Sequence, residues 1–160
     1  MTTPLTVLSA EDQVWLHGLV MIHMPARVTP EAMAGHGCLW CQAPMDTSSI
    51  DLAPGVNQWR SCAVCYLARL ASAMTWRDWH THTEACATCL QPEDCMVARG
   101  RRAQHERTLA ALGEALRCTA RCRLTIGTGD PAVPIIWEGE AASYPGYAHV
   151  SCLARSGREV

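Results

Sequence analysis

The chain has 160 residues, 49% of them apolar, with ten cysteines, six tryptophans and no phenylalanine. That length suits one domain or two small ones, and an interior built largely from Ala, Leu and Val is thin enough to need staples such as metals or disulfides. The formal net charge of −2 argues against a general polyanion binder, and the apolar runs are too short to cross a bilayer.

The opening stretch, "MTTPLTVLSAEDQ", has neither the basic region nor the unbroken apolar run of a secretory signal, so a cytoplasmic location is expected. There, closely spaced cysteines are metal ligands more often than disulfides. "SAEDQVWLHGLVMIHMP" predicts a helix with Ser9 as N-cap, Glu11 and Asp12 in the first turn, and Pro25 as the stop. Thr29 before Pro30 predicts a second, short helical turn ended by Gly35 or Gly37. Beyond Cys38 and Cys41, residues 42–61 carry Pro, Gly and Ser punctuation and two short strand-like runs, which predicts a loose hairpin.

Cys62 and Cys65 lead into a predicted helix over 66–79 with Leu67, Leu70 and Met74 on its apolar face. Pro92, Glu93 and Asp94 predict a helix start just before Cys95. The pattern continues to about Arg117, with Leu109, Leu112 and Leu116 on one face and Gly100 and Gly113 as weak points. Residues 123–126 and 133–137 predict two strands around the turn "GTGDP", and "YPGYAHVSCLARSG" predicts a short C-terminal helix opening near His149.

The cysteine spacing organises these elements. Cys38-x2-Cys41 and Cys62-x2-Cys65, 20 residues apart, form a four-thiolate zinc pattern whose second pair sits at a helix N-terminus, where N–H groups and the dipole favour thiolate charge. Cys118-x3-Cys122 followed by His149-x2-Cys152 repeats the plan. The remaining trio, Cys86, Cys89 and Cys95, is completed by His82, with His80 as the backup ligand and Cys65 as a second claimant. Ten cysteines plus His82 and His149 make three sets of four with no cysteine left over, which predicts about three zinc ions per chain. His17, His23, His36 and His105 are then ordinary polar or core residues.

Residues 36–79, read as knuckle, hairpin and helix, resemble a treble clef or zinc ribbon. A different resemblance comes from Cys65, Cys86, Cys89 and Cys95: "ACATCLQPEDCMVA" is similar to the cysteine segment of the WhiB-like iron–sulfur regulators of actinobacteria, which implies one iron–sulfur cluster and a redox-responsive transcription regulator. That family's Gly-Trp-rich turn and compact basic tail are missing here. All thirteen basic side chains are arginine, a composition that resembles GC-rich coding of actinobacterial or actinophage type.

Catalysis is not expected. "HTE" before "CATC" has the elements of a zinc deaminase signature, yet one residue separates Glu84 from Cys86, too few for the glutamate to serve a substrate on that metal. A zinc hydrolase needs an open coordination position, and twelve ligands for three metals leave none. Residues 99–123 hold seven arginines against two acids, so Arg99, Arg101, Arg102, Arg107, Arg117, Arg121 and Arg123 are the candidate partner-binding residues, with Arg99, Arg107 and Arg117 on one helical face. Ten thiolates on three zincs would take the net charge from −2 to about −6, so polyanion binding has to be local to that block.

The reading is an α+β protein, a small zinc-stabilised domain with two treble-clef-like modules flanking a helical pair. An N-terminal helical segment (1–35) precedes a four-cysteine module (36–79), a zinc clasp with an Arg-rich helix (80–117) and a second module (118–160). The function expected is non-catalytic, regulatory binding with nucleic acid as the preferred partner; the alternative is an adaptor that binds and modulates a host protein. No membrane or small-molecule partner is expected.

Overall fold

The computed structural model describes residues 10–22, 25, 27–52, 58–90, 95–120, 122–138 and 143–156. Ser9, His23, Pro92, Glu93, Asp94 and Arg121, and the side chains of Glu11 and Asp12, lie outside the described set. Helices combine with two small antiparallel sheets, and the chain divides into two units, Met1–Ala73 and Met74–Val160. No helix among the described residues is long and apolar enough to cross a membrane.

The first unit opens with α1 (Ala10–Ile22), which buries Leu16, Leu19 and Val20 at helical spacing. Helix α2 (Pro30–Met33) starts as its residues dictate. The Thr29 hydroxyl accepts the Ala32 N–H at 3.3 Å, and Pro30 takes the first helical position, where no N–H is required. Gly35 ends it in the left-handed region at φ 74, with Gly35 N–H bonded to the Ala32 carbonyl and His36 N–H to that of Glu31. Strands β1 (Ile50–Asp51) and β2 (Arg60–Ser61) pair as a minimal antiparallel sheet. His17 bonds the Leu52 carbonyl through Nε2, so this histidine is structural.

Helix α3 spans Ala63–Ala85, three residues earlier and six later than the predicted 66–79. Histidine and threonine are middling helix formers, which hid the extension through "HTHTEA". Its apolar face also differs from expectation. Leu67 and Met74 are 52% and 38% exposed, while Leu70, Ser72, Ala73, Trp76, Trp79 and His80 are buried. Two tryptophans and a histidine define the face, and the Trp76 and His80 rings stack at 4.7 Å one turn apart.

The second unit contains α4 (Met96–Ala111), β3 (Ala132–Glu138), β4 (Ser143–His149) and α5 (Val150–Ser156). Helix α4 ends well before Arg117. Gly113 adopts φ 70, its N–H bonds the Ala110 carbonyl, and the Glu114 N–H bonds that of Leu109, a six-to-one and five-to-two closure that stops the helix. Leu116 is buried, but past the helix. The hairpin also differs from prediction. β3 pairs with β4, from Ala132 opposite His149 to Glu138 opposite Ser143, whereas the 123–126 stretch contributes only an isolated bridge from Thr125 to Arg117. Pro145 and Gly146 disguised β4; in a two-stranded sheet every strand is an edge, where proline is tolerated.

A buried polar network ties this unit together. His105, fully buried, bonds Thr75 Oγ1 at 2.9 Å through Nδ1 and the Tyr147 hydroxyl through Nε2, and Thr75 Oγ1 bonds Thr108 Oγ1 at 3.1 Å. Trp76 Nε1–H donates to the Gly146 carbonyl at 3.2 Å. Arg102, a predicted surface residue, is only 6% exposed. Its guanidinium donates to the carbonyls of Gly127 (2.7 Å) and Asp130 and to Glu106 Oε1 (2.9 Å), fastening the "GTGDP" turn to α4. A buried guanidinium persists only when its donors are matched in this way.

Candidate metal centres

Twelve side chains form three groups of four: Cys38, Cys41, Cys62 and Cys65; His82, Cys86, Cys89 and Cys95; Cys118, Cys122, His149 and Cys152. In each group the four ligand atoms lie within 4.8 Å of one another, placed to hold a metal ion. All ten cysteines are free thiols.

The first group is assembled by a knuckle, a hairpin and a helix start. Cys38 N–H donates to the Ala43 carbonyl at 2.8 Å, and Gln42, just after Cys41, takes the left-handed conformation at φ 63 to close the knuckle. Leu39 N–H donates to the Arg60 carbonyl at 2.9 Å, fixing the knuckle against β2. Cys62 immediately precedes α3 and Cys65 sits in its first turn, so unpaired helix N–H groups face sulfur. Cys65 N–H approaches Cys62 Sγ at 3.5 Å, and Cys62 N–H approaches Cys38 Sγ at 3.4 Å.

The third group repeats the knuckle and its fastening to the hairpin. Cys118 N–H donates to the Leu124 carbonyl at 2.9 Å, Arg123 just after Cys122 has φ 58, and Thr119 N–H donates to the Tyr147 carbonyl at 2.8 Å. Parallel bridges join Cys38 to Arg60 and Cys118 to Tyr147, and antiparallel bridges join Gly37 to Pro44 and Arg117 to Thr125. Arg60 and Tyr147 each stand two residues before the third ligand, and each third ligand abuts a helix, α3 or α5. Gly146 is required here, because a Cβ would lie 2.4 Å from Thr119 Oγ1.

The middle group closes two helix ends. His82 lies in the last turn of α3, Cys86 follows it with its N–H on the His82 carbonyl at 2.9 Å, and Cys95 is the N-cap of α4, its Sγ accepting the Ala98 N–H at 3.3 Å. His82 Nε2 approaches Cys95 Sγ at 3.0 Å. His80 takes no part; it is buried against Trp76, its Nδ1 lies 3.4 Å from Glu84, and burial lowers its pKa although Glu84 works the other way. Cys65, Cys86, Cys89 and Cys95 are divided between the first and middle groups.

The spacing of the sulfurs suits a single ion. Four thiolates about 2.3 Å from one metal form a tetrahedron with edges of about 3.8 Å. The Cys41–Cys62, Cys86–Cys95 and Cys89–Cys95 Sγ separations are 3.8, 3.9 and 3.5 Å.

Charge is prearranged in each group. Burial opposes ionisation of Cys38, but the amides of Cys41, Cys62 and Trp40 outweigh it and bring the thiol down to about 6. Cys118 comes down to about 6 likewise, burial again opposing and the His149 and Ala120 amides prevailing with help from the His149 and Cys122 side chains. The Cys89 and Thr88 amides lower Cys86 to about 7, while burial and the neighbouring thiols push Cys89 up to about 11. A metal competes with protons for these sulfurs, so bound metal is retained at neutral pH and lost on acidification. Burial and neighbouring thiols push Cys65 and Cys152 up, so protons compete at those ligands first. Titrating the metal-loaded chain with acid in the presence of a colorimetric metal indicator is expected to show release that grows as the pH falls and none at neutral pH.

One supporting residue escaped the sequence reading. Asp130, in the "GTGDP" turn, holds the Gly127 N–H at 2.7 Å and faces His149 Nε2 at 3.8 Å, while Nδ1 of the same ring lies 3.3 Å from Cys122 Sγ. At that distance the carboxylate is a charged neighbour of the ring, and it holds the turn that lies against it. Asp130→Ala is expected to weaken metal binding at the third group by up to about 10-fold and leave the other two unchanged, measured by chelator competition.

The chain matches no protein-family model, no curated protein and no solved structure at a significant level.

The arginine block is dispersed by the fold. Arg102 is buried and Arg101 donates to the Asp78 carbonyl, so these two brace the structure. Arg99 and Arg107 are exposed on α4; Arg117 and Arg123 are exposed on the third group's knuckle, off the helix that was to align Arg117 with them.

Proposed function

We propose that this chain is a zinc-stabilised, non-catalytic binding protein with three four-ligand zinc sites, two of them in treble-clef-like modules. The observation that carries the reading is the gathering of twelve ligand atoms into three complete sets of four. Sulfur and imidazole in tetrahedral number are zinc's preferred structural environment, and a full protein shell leaves no position for substrate or water. The 3.5–3.9 Å sulfur separations favour one ion per group over an iron–sulfur cluster, whose thiolates bind different irons and stand farther apart. The repeated knuckle, hairpin and helix support the treble-clef comparison.

A protein partner is the better-supported class. Arg102 and Arg101 are committed to internal carbonyls, ten zinc-bound thiolates deepen the negative charge, and Val64, Leu67 and Met74 present apolar side chains at 78, 52 and 38% exposure on α3. Nucleic acid remains the second reading because Arg99, Arg107, Arg117 and Arg123 are exposed. A gel shift at about 50 mM salt separates the two. The protein reading predicts no shift with DNA or RNA; a shift that weakens steeply with salt and with Arg99→Ala and Arg107→Ala would overturn it in favour of nucleic acid.

A further inference from the structure

We infer that the middle group is the chain's exchangeable metal position, whose occupancy follows metal supply and sets the order of the α3–α4 junction, while the outer two are permanently filled. This rests on the metal-binding reading above. Three observations distinguish the middle group.

Burial comes first. Each outer group encloses one ligand completely, Cys38 at 0% and Cys118 at 1% exposure, although Cys41 of the first group is exposed; the middle group has no sealed ligand, all four being partly accessible. Exchange is complete only when every coordinating atom has been displaced, so a sealed ligand retains the ion and the group without one exchanges fastest.

The second observation is the backbone. The outer knuckles are fastened to their hairpins by bonds that need no metal, Leu39 to Arg60 and Thr119 to Tyr147. The middle group's backbone bonds each stay on one side, Cys86 N–H to the His82 carbonyl and Leu90 N–H to that of Cys86 after α3, and Arg99 N–H to that of Cys95 in α4. Among the described residues, its two sides meet through ligand atoms: Cys95 Sγ against His82 Nε2, Cys86 Sγ and Cys89 Sγ. Further along, Thr75 still bonds His105 and Arg101 still bonds Asp78, so metal loss frees the junction without parting the helices. Such a low-cost local opening is how a segment responds while its domain stays folded.

The third is the exposure of the neighbouring apolar side chains. Leu90, Met96 and Val97, the large apolar side chains adjoining these ligands in sequence, are 69, 81 and 52% exposed.

The test uses the full zinc-loaded chain, a chromogenic chelator and hydrogen exchange read by mass spectrometry. One metal of three is expected to leave at least about tenfold faster than the others, with faster exchange confined to residues 82–90 and 95–100. Cys89→Ser is expected to bind two metals and lack the fast phase; Cys38→Ser keeps the fast phase and loses a slow one. Release of all three in one step, or a first loss that opens residues 37–44 or 117–125, overturns the inference while leaving the three-metal reading intact. A chain that cannot take up three metals overturns that reading instead.

Discussion

Exhaustive removal of metal at neutral pH is expected to unfold both units. The sheets cannot hold the modules alone: β1 and β2 pair over two residues each, and an isolated two-stranded sheet is at best marginal in water. Structural zinc contributes about 10–16 kcal/mol of apparent binding energy in small zinc-finger peptides, comparable to the whole stability of a typical domain at about 5–15 kcal/mol. Circular dichroism and tryptophan fluorescence should show loss of most helical signal and exposure of Trp76 and Trp79, which are 3% and 0% exposed in the fold. Zinc should restore both. A metal-free chain that keeps its native spectrum would mean that the interior suffices without the ions.

The second large effect is expected from Cys38→Ser and Cys118→Ser. These are the most buried ligands and occupy equivalent places in the repeated module. Serine removes the thiolate and leaves the amides that converge on it without their charged acceptor, a loss of about 1–3 kcal/mol beyond the missing metal. Each variant should bind one metal fewer and lose protection at its own knuckle, Leu39 in one and Thr119 in the other. Three metals retained by either variant would show that its cysteine is not a ligand.

The ligand groups were legible because metal sites are built from short-range spacing: a C-x2-C or C-x3-C knuckle and a pair at a helix start keep their meaning whatever the rest of the chain does. The choice of His82 over His80 was less visible. Both follow Trp79 on α3, and what separates them is the burial of the helix face on which His80 stacks on Trp76, a burial that only the tertiary structure decides. The repeat of the module was visible as order alone. Its backbone identity depends on left-handed Gln42 and Arg123, residues that do not advertise that conformation as glycine would.

Elsewhere, local signals misled for physical reasons. In sequence Gly113 reads as a weak point inside a helix; in the fold it is the terminator, which puts Leu116 and Arg117 off the helix. No strand is predicted over 143–149, where Pro145 and Gly146 break the pattern, yet β4 has no second sheet neighbour along most of its length to demand their missing donors and side chains. Arg102 looked like part of a basic surface because sequence shows charge and not the two carbonyls that receive it. A buried arginine is recognisable only with its acceptors in view.

The most direct test of the account is elemental analysis of the chain purified without added metal, together with its visible spectrum. The account predicts a colourless protein with about two to three equivalents of zinc per chain as purified, rising to three on reconstitution, one for each group of four ligands. Iron with a visible charge-transfer band, or a zinc content that stays below three after anaerobic reconstitution, would contradict it.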